Sequence, residues 1–501
     1  MLSFRAQISW WDYLLAFLAG LVSVFAFAPF AWWPIAFLTP AVFFWLNLKP
    51  LQRWQRLRLA WVFGIGLFAG GAHWIYFSIH YFGGANIFLS TAMVAAFVVL
   101  IALMLMLFGL IASFFPYQTN ESKLLLVFPA AWCLTEWFRG WFLTGFPWLQ
   151  LGHSQTDTFL ANYAPIFGSL GISWLVAVGA GALVLITIGE RLQKIYAGAL
   201  LALLFVGGYG LSFINWTQPV GEKLFVSLIQ ANIPQEEKWL PEFRNQHIQK
   251  HIDMMEPRIT SSHIIIWPET AIFDTFQRSM DDVVKPLQES FKTAETDLLM
   301  GGFQYEQSTD HMYNAIMSVR DLDVYGKRHL VPFSEYTPFL EYLRWLENFI
   351  MLPYENVAPW KGKVNLQVAG QPMRMSVCYE DAYGEEMIDG LPEATMLVNV
   401  SNDGWFTGSI EPAQHAQIAR FRAIETGRYL LRATNNGISA IINEKGKVVV
   451  TGPQYQEVVV EEFAQPMQGI TPYIRWGNWF LIPMLTIALV VVGWLGRGKF
   501  R

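Results

Sequence analysis

At 501 residues the chain is longer than one ordinary domain. It is 53% hydrophobic and only 15% charged, with 22 Trp and 39 Phe, a balance that suits a membrane protein carrying a water-soluble part. A formal net charge of -5 over that length excludes a basic field for nucleic acid, and two cysteines exclude a disulfide framework.

Residues 13–29, 32–48, 59–78, 87–115, 163–188 and 196–213 carry little or no charge, and each is long enough to cross a bilayer. A further candidate, 124–141, begins apolar and then carries Glu136 and Arg139; the eighth runs from Gly477 to Gly496. Because such segments recur, the first reads as a retained span and not as a cleaved signal peptide. Positive charges mark alternate loops. Lys49, Arg53, Arg56 and Arg58 follow the second span and Lys123 the fourth, Arg191 and Lys194 follow the sixth, and Arg497, Lys499 and Arg501 follow the last. The positive-inside rule makes these loops cytoplasmic, so eight crossings leave both termini inside and the long polar segment outside. The expected division is a seven-span bundle over 1–216, an external domain over 220–465 and a C-terminal transmembrane helix over 476–496. Within the bundle, Gly64, Gly66, Gly70 and Gly71 favour close helix packing. Glu136 and Arg139, three apart, either form a structural ion pair or line a path for lipid.

The polar segment changes character. Leu224–Gln230, His263–Trp267, Leu298–Gly302, Ala394–Asn399 and Ile438–Ile442 read as buried strands, with helical patterns at 241–256, 280–293 and 411–427. Alternating strands and helices predict an α/β domain, two sheets sandwiched between helical layers. His247 and His251 have helical spacing but lack the acid of a zinc protease, so the expectation is a solvated face and no metal.

Three residues could carry chemistry. Short apolar residues lead into Cys378 and a polar, helix-compatible run follows, the pattern of a strand ending in a sharp elbow. Glu269 stands just after Pro268, which cannot continue a central ladder, so its carboxylate leaves the sheet at the rim. Lys327 precedes an apolar run that ends in Glu335. A thiol is mostly protonated at neutral pH, a carboxylate can accept its proton, and an ammonium favours the thiolate and an oxyanion.

Glu, Lys and Cys in this order resemble the nitrilase (carbon–nitrogen hydrolase) superfamily. The motifs are Trp267-Pro-Glu-Thr270, Lys327 with Leu330-Val-Pro-Phe-Ser-Glu335, Val377-Cys-Tyr-Glu380 and Ser401-Asn-Asp-Gly-Trp-Phe406. The eight-span arrangement, Thr144-Gly-Phe-Pro-Trp-Leu-Gln150, Gln230-Ala-Asn-Ile-Pro-Gln235 with Trp239, and Thr434-Asn-Asn-Gly437 are similar to the apolipoprotein N-acyltransferase family within it. That resemblance implies Glu269 as general base, Lys327 as oxyanion-stabilising cation and Cys378 as nucleophile, with Trp239, Glu335, Tyr379 and Glu380 in support. It implies no cofactor and no metal, and a place in the bacterial inner membrane with the catalytic domain facing the periplasm. The implied donor is a membrane phospholipid, typically phosphatidylethanolamine, and the acceptor the α-amino group of a diacylglyceryl-cysteine on an apolipoprotein. Two positions depart from the family pattern: Ser334 stands where Gly is usual, and Thr407 follows Phe406 in place of Gly. A membrane-anchored nitrilase-type amidase would use the same triad, and a transporter with an accessory domain is the rival from another class. Trp345–Pro353 and Trp405-Phe406 are apolar pieces of this domain, either lids dipping toward lipid or ordinary core.

Overall fold

The computed structural model describes residues 8–292, 294–338, 340–343 and 357–497. The Trp345–Pro353 segment, expected as a lid or as ordinary core, therefore lies outside the described residues. The chain divides into two compact units. One comprises Met1–Tyr76, Ile87–Asn215 and Arg475–Arg501; the other comprises Phe77–Asn86 and Trp216–Ile474.

The first unit is helical. Ile87–Ser113, Phe159–Ile188 and Arg191–Leu211 are long and apolar enough to cross a membrane, and the broken pair Arg53–Gly71 and Ile75–Phe82 makes a fourth if counted as one span. Trp10–Ala26, Ile35–Asn47 and Leu481–Gly496 are shorter apolar helices. By length and composition, then, three or four of the eight expected spans are full length among the described residues. Pro34 directly precedes Ile35–Asn47, a position where proline suits a helix start, and the helix continues through Pro40. Small residues bring helices together as the sequence suggests. A Cβ at Gly66 would collide with the Phe17 carbonyl and one at Gly20 with the Phe63 carbonyl, so Trp10–Val22 and Arg53–Gly71 meet backbone to backbone.

Glu136 and Arg139 are both buried, at the end of the helix Phe128–Arg139. Glu136 Oε1 accepts from Trp132 Nε1 at 2.8 Å and from the Leu151 amide at 3.0 Å. Arg139 Nη1 donates to the carbonyls of Phe146 and Trp148. Together they staple the 144–151 stretch to its helix. Glu136→Leu strands two buried donors, a loss of about 2–4 kcal/mol, and is expected to lower the melting temperature in detergent. An unchanged melting temperature would show that the staple contributes nothing.

The second unit is a sandwich. Its strands are β1 Thr217–Pro219, β2 Leu224–Gln230, β3 Ile264–Ile266, β4 Asp297–Glu306, β5 His311–Ser318, β6 Asp323–Gly326 and β7 Asn365–Val368. They continue with β8 Gln371–Val377, β9 Met396–Ser401, β10 Tyr429–Thr434, β11 Ala440–Ile442, β12 Val448–Thr451, β13 Val458–Ala464 and β14 Met467–Gly469. One sheet runs β13-β2-β3-β4-β5-β6 and the other β12-β11-β10-β9-β8-β7, each with three parallel strands at its centre; β1 and β14 pair separately. The side-chain alternation of a strand sets the layers. Val226, Leu228, Ile264 and Ile266 face Met373, Met375, Val398 and Val400 between the sheets. Ile229, Ile265 and Leu298 point outward to Ile248 and Met255 of Arg244–Met255 and to Leu287 and Phe291 of Lys285–Phe291. Leu397 and Leu430 meet Ala419 and Ala423 of Glu411–Thr426 on the far side. Helix, sheet, sheet, helix is the expected order.

The expected solvated face of His247 and His251 is a correction: they are 6% and 1% exposed. Both lie on the side of Arg244–Met255 that packs on the sheet. The His251 ring lies 5.0 Å from that of Trp267, and its Nδ1 donates to the His247 carbonyl at 2.7 Å. Burial pushes His251 down to about 3, so it packs as a neutral ring.

Candidate active site

Glu269, Lys327 and Cys378 all stand where a strand ends. Beyond β3, Trp267 makes one more ladder bond, from its amide to the Leu299 carbonyl at 2.8 Å, before Pro268 breaks away. The turn crosses β4 at Gly301, where a Cβ would collide with the Pro268 carbonyl. Glu269 is 7% exposed. Asn314 of β5 donates from Nδ2 to Glu269 Oε1 at 2.7 Å and to Glu335 Oε1 at 3.0 Å, and Lys238 Nζ donates to the Glu269 carbonyl at 2.9 Å. Lys327 follows β6, tied by its amide to the Asn314 carbonyl at 2.7 Å. It is 1% exposed, and its Nζ meets both oxygens of Glu335, at 3.0 and 2.9 Å.

Cys378 follows β8 and opens the short 3₁₀ turn Cys378–Ala382. Its φ is +56°, a left-handed conformation that costs an L-residue roughly 1–2 kcal/mol and persists only where the surroundings enforce it. Two ties enforce it. Asn399 Nδ2 donates to the Cys378 carbonyl at 2.9 Å, and the Val377 amide donates to Glu380 Oε2 at 2.7 Å. Glu380 also accepts from the Arg328 amide at 2.6 Å, the His329 amide at 3.1 Å and the Tyr325 hydroxyl at 2.9 and 3.0 Å. One buried carboxylate thus stitches the backbone beside Lys327 to the backbone beside Cys378.

The electrostatics follow from that enclosure. Burial and then the Glu269 charge push the Cys378 thiol well up, against the pull of Lys327. Burial also raises Glu269, again opposed by Lys327. Burial works against the Lys327 ammonium, but Glu335, Cys378 and Glu269 outweigh it and hold the amine above the usual lysine range. The three candidate groups therefore sense one another. A protonated thiol beside a carboxylate and a fixed cation is poised for proton transfer followed by nucleophilic attack.

Two family patterns match this chain, the apolipoprotein N-acyltransferase N-terminal domain over residues 19–182 and carbon-nitrogen hydrolase over 225–469. A protein of Methylococcus capsulatus named apolipoprotein N-acyltransferase is 39% identical over 484 residues, covering 96% of this chain and 95% of that one. Relatives of the same name from Coxiella burnetii and Nitrosomonas europaea are 38% and 36% identical, covering 95% and 97% of this chain and 99% and 98% of theirs. The chain belongs to the apolipoprotein N-acyltransferase family.

In this apolipoprotein N-acyltransferase family member, an acyltransferase of the carbon–nitrogen hydrolase superfamily, Glu335 and Tyr379 lie against Lys327, and Trp239 lies beside Lys238, which donates to the Glu269 carbonyl. Tyr379 donates to the Leu330 carbonyl at 3.2 Å, and the Lys327 ammonium lies 5.8 Å from its ring centroid. Trp239 belongs to an aromatic row, 4.9 Å from Phe273 and 5.9 Å from Trp405, which in turn is 5.5 Å from Phe82. The two departures are absorbed locally. Ser334 lies in a turn whose positive φ falls on Phe333, and Thr407 donates to the Gly404 carbonyl at 2.9 Å while Gly408 takes the positive φ.

Sequence reading missed Asn314, Lys238 and Asn399. Asn314 and Asn399 left a signal, a lone amide inside a mostly apolar, buried strand; Lys238 left only its place beside Trp239. It also missed a buried group, Asp403, Glu411 and His415, whose ligand-capable atoms lie within 4.8 Å of one another. Both His415 nitrogens already engage carboxylates, and Arg432 Nη2 sits 3.2 Å from Asp403. A dication there would have to displace two resident positive charges.

Proposed function

We propose that this protein moves an acyl chain from a membrane phospholipid, through a thioester on Cys378, to the α-amino group of an N-terminal diacylglyceryl-cysteine on an apolipoprotein. The observation that carries the reading is the linkage of Glu269 to Lys327 through Asn314 and Glu335, together with a thiol on a strained, left-handed elbow whose ionisation both groups influence. Glu269 takes the Sγ proton as sulfur attacks the ester carbonyl. The Lys327 ammonium stabilises the oxyanion, and the tetrahedral adduct collapses to expel the lysophospholipid alkoxide, which recovers the proton from Glu269. In the second half the acceptor amine attacks the thioester, Glu269 receives the amine's proton, and the departing thiolate takes it back. Glu335 holds Lys327, Glu380 and Tyr379 brace the elbow, and Trp239 offers an apolar face for the incoming chains. Phosphatidylethanolamine is the proposed donor, and no cofactor is required. The proposed setting is the bacterial inner membrane, crossed eight times, with residues 220–465 on the periplasmic side; the loop charges and the apolar helices support it.

The test is mass spectrometry of the purified protein after incubation with phosphatidylethanolamine vesicles. A fatty-acyl mass on the peptide containing Cys378 is expected, and a diacylglyceryl lipopeptide with a free amine should discharge it. A folded protein that gains no adduct would sink the proposal. An adduct cleared by water as fast as by the amine would favour a hydrolase.

A further inference from the structure

Behind the elbow lies a second set of charged side chains that the proposed chemistry does not use. Asp381 sits on the elbow turn, Asp403 opens the turn Asp403–Phe406, His415 lies on Glu411–Thr426, and Asn399 and Arg432 lie on β9 and β10. None of the five is more than 2% exposed. Arg432 Nη1 donates to Asp381 Oδ2 at 3.2 Å, and Nη2 to Asp403 Oδ2 at 3.2 Å. His415 reaches the same two carboxylates, from Nε2 to Asp381 Oδ1 at 3.0 Å and from Nδ1 to Asp403 Oδ1 at 3.2 Å. Two cations thus bridge one pair of acids, and that pair ties the nucleophile's turn to the turn bearing Trp405.

Arg432 has a second effect. Its Nη1 also donates to Asn399 Oδ1. A guanidinium only donates, so it fixes which end of the Asn399 amide points away from it. The other end, Nδ2, is the donor to the Cys378 carbonyl at 2.9 Å. The left-handed backbone of Cys378 is therefore held by an amide whose orientation Arg432 sets.

We propose that Arg432 and His415 are positioning residues that lock the Cys378 elbow and the Trp405 turn into one frame, Arg432 acting on Cys378 through Asn399. The proposal rests on the reading of Cys378 as nucleophile. The charge states agree with it. Burial and Arg432 disfavour a charged His415, but Asp381 and Asp403 overcome both and hold it up at about 10. Burial, then the Asp403 charge, pushes the neighbouring Glu411 up to about 8. Glu411 is thus biased toward its neutral form, while His415 and Arg432 both face the carboxylates of Asp381 and Asp403.

The experiment uses the full-length protein in detergent with Arg432→Met, Arg432→Lys, His415→Gln and Asn399→Leu. Acyl transfer is measured as kcat and KM, and Cys378 alkylation by iodoacetamide as a function of pH. The expected result for Arg432→Met and Asn399→Leu is a kcat lower by about 10–100-fold with KM within about twofold of the parent, and a displaced alkylation profile. Arg432→Lys, which still donates to Asn399, should recover part of the loss, and His415→Gln should lose less than Arg432→Met. If Arg432→Met fails to fold, Asn399→Leu decides alone, because it leaves both cations and both acids in place and removes the tie to Cys378. A folded Asn399→Leu with parental kcat and alkylation profile overturns the proposal. Acyl transfer surviving in Cys378→Ala would instead refute the nucleophile assignment, and the alkylation profiles would still report whether Arg432 shapes the elbow.

Discussion

Glu269→Gln is expected to slow acylation of Cys378 by about 10²–10⁴-fold, the range for removing a positioned general base, while leaving the fold intact. The fold survives because the Gln carbonyl can still accept from Asn314 Nδ2, which lies 2.7 Å from Glu269 Oε1. The thiol should respond in the opposite direction. Glu269 is, after burial, the largest influence raising Cys378, so its neutral replacement lets the thiol ionise at lower pH. Alkylation by iodoacetamide at a fixed pH near neutrality should therefore quicken as acyl transfer slows. Unfolding would also release the thiol from the burial that raises it, so the pair of signs is read on a variant that melts at the parental temperature. In the parent protein burial holds Glu269 above the usual carboxylate range, so transfer should fall as pH drops through a value higher than that of an ordinary glutamate. Acyl transfer within tenfold of the parent would remove Glu269 from the chemistry.

Glu380→Gln should be damaging for a different reason. Its two oxygens accept from the Val377, Arg328 and His329 amides and the Tyr325 hydroxyl, and the side chain is 2% exposed. A Gln keeps one acceptor and turns an NH₂ group toward donors, leaving at least one of them unpaired in a dry site. Each such group costs about 1–3 kcal/mol. The strained elbow loses a restraint at the same time. The expected outcome is a melting temperature lower by several degrees and acyl transfer reduced more than 100-fold, in keeping with a misplaced nucleophile. Glu380→Asp should not rescue it, because the shorter side chain cannot reach both sides of the stitch. A variant with parental melting and activity would show that the stitch is dispensable.

What the sequence made legible is local. The runs Leu224–Gln230 and His263–Trp267 are apolar on both faces because they lie at the centre of a covered sheet, and Pro268 marks where one of them must stop. The Cys378 elbow could be read because a strand pattern turns polar in a single step. Edge strands were harder: β7 carries Asn365 and Gln367, and β12 is only half covered. The buried arginines were invisible. Arg374, Arg422, Arg428 and Arg432 are essentially unexposed, yet an arginine in a sequence reads as surface until its acids and carbonyls, often tens of residues away, are brought to it. In the helical unit, uncharged length announced the apolar segments and not where each helix would break.

The pairing of β1 with β14 brings the first and last strands of the sandwich side by side, Thr217 opposite Gly469. Neither strand belongs to either six-stranded sheet. The sandwich could thus be excised as a cassette and circularly permuted, the old ends joined by a short linker and new ones opened in a surface loop, with both large sheets untouched. What such a cassette would leave behind is Phe77–Asn86, and with it Phe82, the outermost ring of the aromatic row.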